Sequence, residues 1–360
     1  QLQLHDLAAL EQRLEAHLDG IRVGDQAGWK LCGPLAQGGE AEGAFVAWMT
    51  ALASPRADWL EELATALPGA VGSWLEGVRW ALRLSRGASA DALLQRLVAA
   101  KEETPLLLAL DAFSFRRTDP GAPLRSALTG DSASLRHTAY AAAGRLRLGE
   151  AASAVRAGLR DGDPADSVTA LEAAVLLCPG GRDLCVERLG AGGPAGAAAT
   201  RLLGVIGAVD DRAILERAAM GQDPQAARAA VLALGNLGVP DCVPWLLDLL
   251  EAERTPGVIG VALRRILGSE PKWTERPTRE RRELPYELEF SPKPPDDSAP
   301  PPAELEDERP WDPDDDLPVH LCAQVRAWWE SNRSRFERGV RYRHGEPWQP
   351  GPPRSDSPLA

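Results

Sequence analysis

Proline recurs at Pro164, Pro194, Pro224 and Pro256, spaced 30, 30 and 32 residues apart. A fixed period of that size constrains a chain to a solenoid, a stack of similar units in which each meets only its neighbours. Between the prolines one pattern repeats. It is clearest as Arg228-Ala-Ala-Val-Leu-Ala-Leu-Gly235-Asn-Leu-Gly238, then Val-Pro-Asp241, then Cys242-Val-Pro-Trp-Leu-Leu-Asp-Leu-Leu250. This reads as helix, glycine turn, helix. Gly144, Gly204 and Gly235 fall in register, with Ala174 in the unit between. A small residue near the end of a first helix lets two backbones approach, and the later glycine can close the helix in a left-handed conformation.

Stacked on that register, the second helices form columns that separate by chemistry. Ala154, Leu184, Ile214 and Trp245 make one apolar column, and Val155, Cys185, Leu215 and Leu246 the next. Leu159, Leu189, Ala219 and Leu250 follow four residues on. The column between holds Ala157, Glu187, Arg217 and Asp248. One face is therefore core and the opposite face meets water. A single two-helix unit of this size cannot bury its own stripe, so neighbours must share a continuous core. The period, the boundaries Asp163-Pro164, Gly193-Pro194 and Asp223-Pro224, and the helix-turn-helix pattern resemble short bacterial HEAT-like repeats. The fold class expected is all-α, a right-handed HEAT-like α-solenoid with a Pro-rich linker and a C-terminal helix.

The organisation expected has five parts: residues 1–133, a helical cap with degenerate repeats; 134–268, the HEAT-like repeats; 269–316, a charged Pro-rich linker, largely irregular; 317–345, a C-terminal helical segment; and 346–360, a disordered tail. Leu7, Leu10, Leu14, Leu18 and Ile21, at spacings of three and four, predict an amphipathic first helix that caps the array. Trp48, Trp59, Trp74 and Trp80 lie on irregular helical stretches and are expected in the core. Residues 271–316 contain eleven prolines, a basic block around Arg276–Arg282 and an acidic block from Glu304 to Asp316. Such a composition buries too little apolar surface to fold alone. Beyond it Leu321, Val325, Trp328, Trp329 and Phe336 predict a helix, with Asp315 or Asp316 as its cap and Pro318 near its first turn. Folding back onto the repeats is favoured over a free partner-binding helix, because an array must close its ends.

The two ends carry a more particular likeness. His5-Asp6-Leu7 with Leu10-Glu-Gln-Arg13-Leu14-Glu-Ala-His17-Leu18-Asp19-Gly20, and Trp328-Trp329-Glu-Ser-Asn-Arg333-Ser-Arg335-Phe336-Glu-Arg-Gly339-Val-Arg341-Tyr342-Arg343-His344-Gly345, resemble the ends of an uncharacterised bacterial family with central HEAT-like repeats, often encoded near type VI secretion genes. That resemblance implies a fold and a setting but no activity.

Charge narrows function further. The formal net charge is −12, and four of the 40 basic residues are lysine, which argues against nonspecific nucleic-acid binding, since phosphate neutralisation needs clustered Lys and Arg. The five cysteines form no Cys-x-x-Cys and are expected to be reduced and buried. No apolar run reaches 18 residues, so no membrane span is expected, and there is no signal-like apolar stretch. The cytoplasm is the expected compartment; whether a leader preceded Gln1 stays open.

The sequence holds few residues arranged for chemistry. None of the five histidines is followed by Glu, as an iron hydroxylase built on HEAT-like repeats would require, and Cys178 with Cys185 lacks a partner pair for zinc. There is no Gly-x-Ser-x-Gly, Walker loop or His-Glu-x-x-His. Asp210 and Asp211 sit where a helix begins and are expected to complement its dipole. The expectation is a non-catalytic scaffold or adaptor, without cofactor or metal, binding a protein partner through the repeat face and acting as a secretion-associated accessory protein. The alternative is an enzyme of the phycobilin lyase type, which also uses HEAT-like repeats. A lyase would want a basic or aromatic groove, and this face is mixed in sign. The expected partner-binding residues are Arg156, Glu187, Arg212, Arg217 and Asp248, with Trp329, Arg333 and Arg335 on the last helix.

Overall fold

The structure is a computed structural model that describes residues 4–160, 164–252, 255–268, 273–275, 317 and 319–348. It is mostly helical, as the sequence predicts. The chain divides into two compact units, Gln1–Leu184 and Cys185–Ala360.

In the first unit the helices are α1 Leu4–Val23, α2 Gln26–Cys32, α3 Ala41–Ala53, α4 Ala57–Thr65, α5 Trp74–Leu84, α6 Ala88–Val98, α7 Glu103–Phe115, α8 Ala122–Ala127, α9 Ala133–Leu146, α10 Ala152–Gly158 and α11 Pro164–Leu177. Helices α3, α5, α7, α9 and α11 pack each on the next. Helix α12, Gly181–Arg188, contains the division between the units, so the repeat stretch expected over 134–268 contributes to both. The apolar stripe of α1 is engaged only in part. Leu18 is buried, whereas Leu10 and Leu14 are 46% and 38% exposed. Trp48, Trp59 and Trp74 are buried as expected. Trp80 departs from its expected core position. It is 41% exposed, and its ring lies 4.6 Å from the Arg83 guanidinium and edge-on to Phe115. An indole at a helix end satisfies its apolar face by stacking on a cation rather than by full burial.

The second unit continues with α13 Gly193–Ile206, α14 Arg212–Ala219, α15 Pro224–Leu237, α16 Val243–Glu251 and α17 Pro256–Leu267. Pro164, Pro224 and Pro256 are each the first residue of a helix and Pro194 is the second of α13, positions where the missing N–H costs nothing. Asp223 caps α15 by accepting the Gln225 N–H at 2.9 Å. Helix α13 packs on α15 and α15 on α17. The small residues do what their register implies: a Cβ on Gly204 would lie 2.6 Å from Ala233 Cα, one on Gly235 2.6 Å from Ala262 Cα, and one on Gly144 3.1 Å from Ala173 Cα.

Burial follows the columns with the expected period. Val155, Cys185, Leu215 and Leu246 are buried, as are Leu159, Ala219 and Leu250, while Ala157, Glu187, Arg217 and Asp248 are exposed. Leu189 is half-buried, and so is the column of Ala154, Leu184, Ile214 and Trp245, which marks the edge of the apolar stripe.

After α17 the structure departs from the sequence reading. Short strands β1 Thr274–Glu275 and β2 Val319–His320 pair antiparallel, Thr274 opposite His320. Trp273, placed by composition in an irregular linker, is 2% exposed and packs against His320 and Trp328. The helix expected over 317–345 is shorter. It is α18, Cys322–Asn332, and a hairpin of β3 Tyr342–Arg343 with β4 Glu346–Pro347 follows. Pro318 lies outside the described residues, and Leu321 stands at the N-cap of α18. Glu346–Trp348, expected in a disordered tail, is structured. The remainder of the linker, including the basic and acidic blocks, and the tail from residue 349 lie outside the described residues, as do Gly162 and Asp163.

Candidate partner-binding surface

The second helices present charge on the side opposite their core stripe because charged side chains alternate with apolar ones at helical spacing. Arg156 on α10 is exposed in the first unit. Glu187 on α12 and Arg217 on α14 are exposed in the second, with no side-chain hydrogen bond or ion pair among the described residues. Arg212 is half-buried and tied to Glu216 at 2.8 Å along its own helix, so its guanidinium is already committed. Asp211, directly before it, is fully buried and accepts the Ala208 N–H at 2.8 Å, a helix-start role.

Asp248 does not present a free carboxylate. Helix α18 packs on α16, and Arg326 bridges Asp248 at 3.1 Å and Glu251 at 2.8 Å. The Cys322 thiol donates to Leu247 O at 3.4 Å. Trp329 likewise fails as a partner contact. It is buried against Phe336, with ring centroids 5.3 Å apart, in an aromatic cluster that continues through Phe336 to Trp328 and Tyr342. Arg333 is exposed and pairs with Glu330 at 3.3 Å. Arg335 is exposed too, near the Trp328 ring, and donates to Asn332 Oδ1 at 3.3 Å. The final helix thus docks on its own unit, the outcome favoured by the need to close an array.

The residue that does most in this region escaped the sequence reading. Arg341 Nε donates to Leu237 O at 2.7 Å, one terminal nitrogen to Gly207 O at 3.2 Å, and the other to Val205 O and Asn236 O, each at 3.2 Å, and to Gly204 O at 3.4 Å. One planar guanidinium thereby serves the unsatisfied carbonyls at the ends of two helices, α13 and α15, where the dipoles also favour a cation. Burial and the charge of Arg343 hold its pKa below the usual arginine value. Backbone contacts extend the closure: Tyr342 N–H donates to Gly238 O at 2.7 Å, His344 N–H to Arg265 O at 2.7 Å and Gly345 N–H to Ile266 O at 2.9 Å. Gly238 has φ 73°, and a Cβ there would lie 2.3 Å from Tyr342 O. Only glycine meets both demands.

Four cysteines are buried and Cys322 is half-buried; all are free thiols. Burial pushes the Cys185 thiol up to about 11 and raises Cys242 further, so both stay protonated and act as small apolar groups. Among the described residues no three of His, Cys, Asp and Glu converge as a metal site, and no helix is long and apolar enough to cross a membrane. Comparison of the chain with protein-family models, with curated proteins and with solved structures gives no match.

Proposed function

We propose that the helix pairs are HEAT-like repeats and that the protein is a non-catalytic scaffold or adaptor, secretion-associated and cytoplasmic, which binds a protein partner along the outer side of its second helices. The observation that carries this reading is the pairing of a repeated buried column with an exposed column whose charges, Glu187 and Arg217, are left unpaired in the second unit. Charges of opposite sign on rigid helices set the register and encounter rate of a partner more than its raw affinity. In the second unit the surface comes down to Glu187 and Arg217, since Arg212 is committed to Glu216. Asp248 and Trp329 are spent on internal docking. The test is recovery of interacting proteins from the native host on immobilised full-length chain. Glu187→Arg with Arg217→Glu should abolish recovery of the specific partner and leave the melting temperature unchanged. Undiminished recovery would remove this surface from the account.

A further inference from the structure

The hairpin that closes the second unit leaves one of its cations, Arg343, without a charged counterpart among the described residues. Arg341 and Arg343 stand 4.4 and 4.5 Å from the centroid of the Trp348 ring. Arg341 points inward to helix carbonyls, and Arg265 beneath the hairpin donates to Asn236 Oδ1 at 2.8 Å and to Leu232 O. The Arg343 side chain is exposed and makes no hydrogen bond or ion pair among the described residues. Glu346 sits opposite it in the hairpin register, and no ion pair joins them. Burial and the charge of Arg343 together disfavour the charged forms of both Arg265 and Arg341. Three guanidiniums and an indole therefore gather where the carbonyl ends of the helices accommodate two, leaving an unpaired positive edge.

The chain carries a complement. Eight carboxylates lie within Glu304–Asp316, against one basic residue, Arg309. This run ends three residues before Val319 in β2, and β2 and β3 both pack on α17. Helix α17 has 12 residues, so it is about 18 Å long, while the 15 residues from Glu304 to Val319 reach up to about 50 Å. The run is thus long enough to meet Arg343 wherever along α17 it enters. We propose that Arg343, with Trp348 and the flanks of Arg341 and Arg265, is the docking site of the chain's own acidic run. Bidentate arginine–carboxylate pairing supplies the attraction, and tethering supplies a high effective concentration.

The test uses a fluorescent peptide of residues 304–316 and the full-length chain at low salt, read by anisotropy. In one variant Glu304, Glu306 and Glu308 become Gln and Asp307, Asp312, Asp314, Asp315 and Asp316 become Asn. The neutralised chain should bind the peptide at least about tenfold tighter than the native chain, whose own run competes as a tethered ligand. Arg343→Glu added to the neutralised chain should weaken binding by at least about tenfold, as expected for loss of a charge-assisted pair, and Arg343→Gln should weaken it less. An unchanged melting temperature confirms that both variants fold, which the exposure of Arg343 leads us to expect. Equal binding to native and neutralised chains, no detectable binding to either, or binding indifferent to Arg343 would each overturn the proposal.

Discussion

The two units solve the same problem with different parts. The carbonyl ends of two helices in the first unit are served by arginines of a helix packed against them. Arg116, at the end of α7, donates to Leu82 O at 2.8 Å and to Ser85 O at the end of α5, and Arg117 donates to Arg145 O at the end of α9. The donors are 28 to 34 residues away in sequence. In the second unit the ends of α13 and α15 are served by Arg341, 104 to 137 residues distant, across the whole Pro-rich stretch. A helix end that is closed by its neighbour is complete as soon as the neighbour folds. One that is closed by the far end of the chain depends on a segment that is separable from it.

The largest expected effect breaks that dependence outright. Truncation after residue 316 removes the burial of Val325, Trp329, Phe336 and Tyr342, each worth roughly 1.5–3 kcal/mol, together with Arg341. Hydrogen exchange should show the helices of the second unit losing protection while α5, α7 and α9 keep theirs. Equal loss in both units would mean that they unfold as one. Next in size is Leu246→Ala, which empties a fully buried site in the second unit and should cost about 2–5 kcal/mol. Asp248→Ala should cost under about 1 kcal/mol, because its partner Arg326 keeps Glu251 and both carboxylates are exposed. Equal melting of these two variants would refute the burial columns.

Arg341→Ala is smaller again, about 2–3 kcal/mol, since water can re-enter to the freed carbonyls. It should lower protection in α13 and α15 and spare α7. Arg116→Ala should do the reverse, exposing the end of α5 and leaving the second unit as it was. If either substitution acts equally on both units, the division of labour between neighbouring and distant arginines is wrong.

What could be read from sequence was local. The prolines announce helix starts because a helix tolerates proline only in its first turn, and the columns from Val155 to Leu246 are legible because 3.6-residue periodicity is a property of a short window. Leu10 and Leu14 share that periodicity and yet stay exposed, because periodicity says which face is apolar but not whether anything covers it. Trp273 was hidden by its surroundings. A lone indole between proline and charge looks like linker until a strand from residues 319–320 arrives to pair beside it. Arg341 was hidden by distance. It appeared only as one of several arginines near the C-terminus, and nothing in their spacing tells which one reaches carbonyls more than a hundred residues away. Asp248 and Trp329 were read as partner contacts for the same reason, since exposure on a helix face cannot reveal that another part of the chain will occupy it.

The central claim is that the hairpin is part of the second unit and not an appendage, and amide exchange resolved to single residues in the full-length chain tests it most directly. The N–H groups of Tyr342, His344 and Gly345 donate to Gly238, Arg265 and Ile266 at the ends of α15 and α17. These three amides should exchange as slowly as the ends of those helices, and Gly238→Ala, whose new Cβ would meet Tyr342 O, should release Tyr342 first. Exchange of all three at the rate of an unstructured peptide, unchanged by Gly238→Ala, would contradict the account.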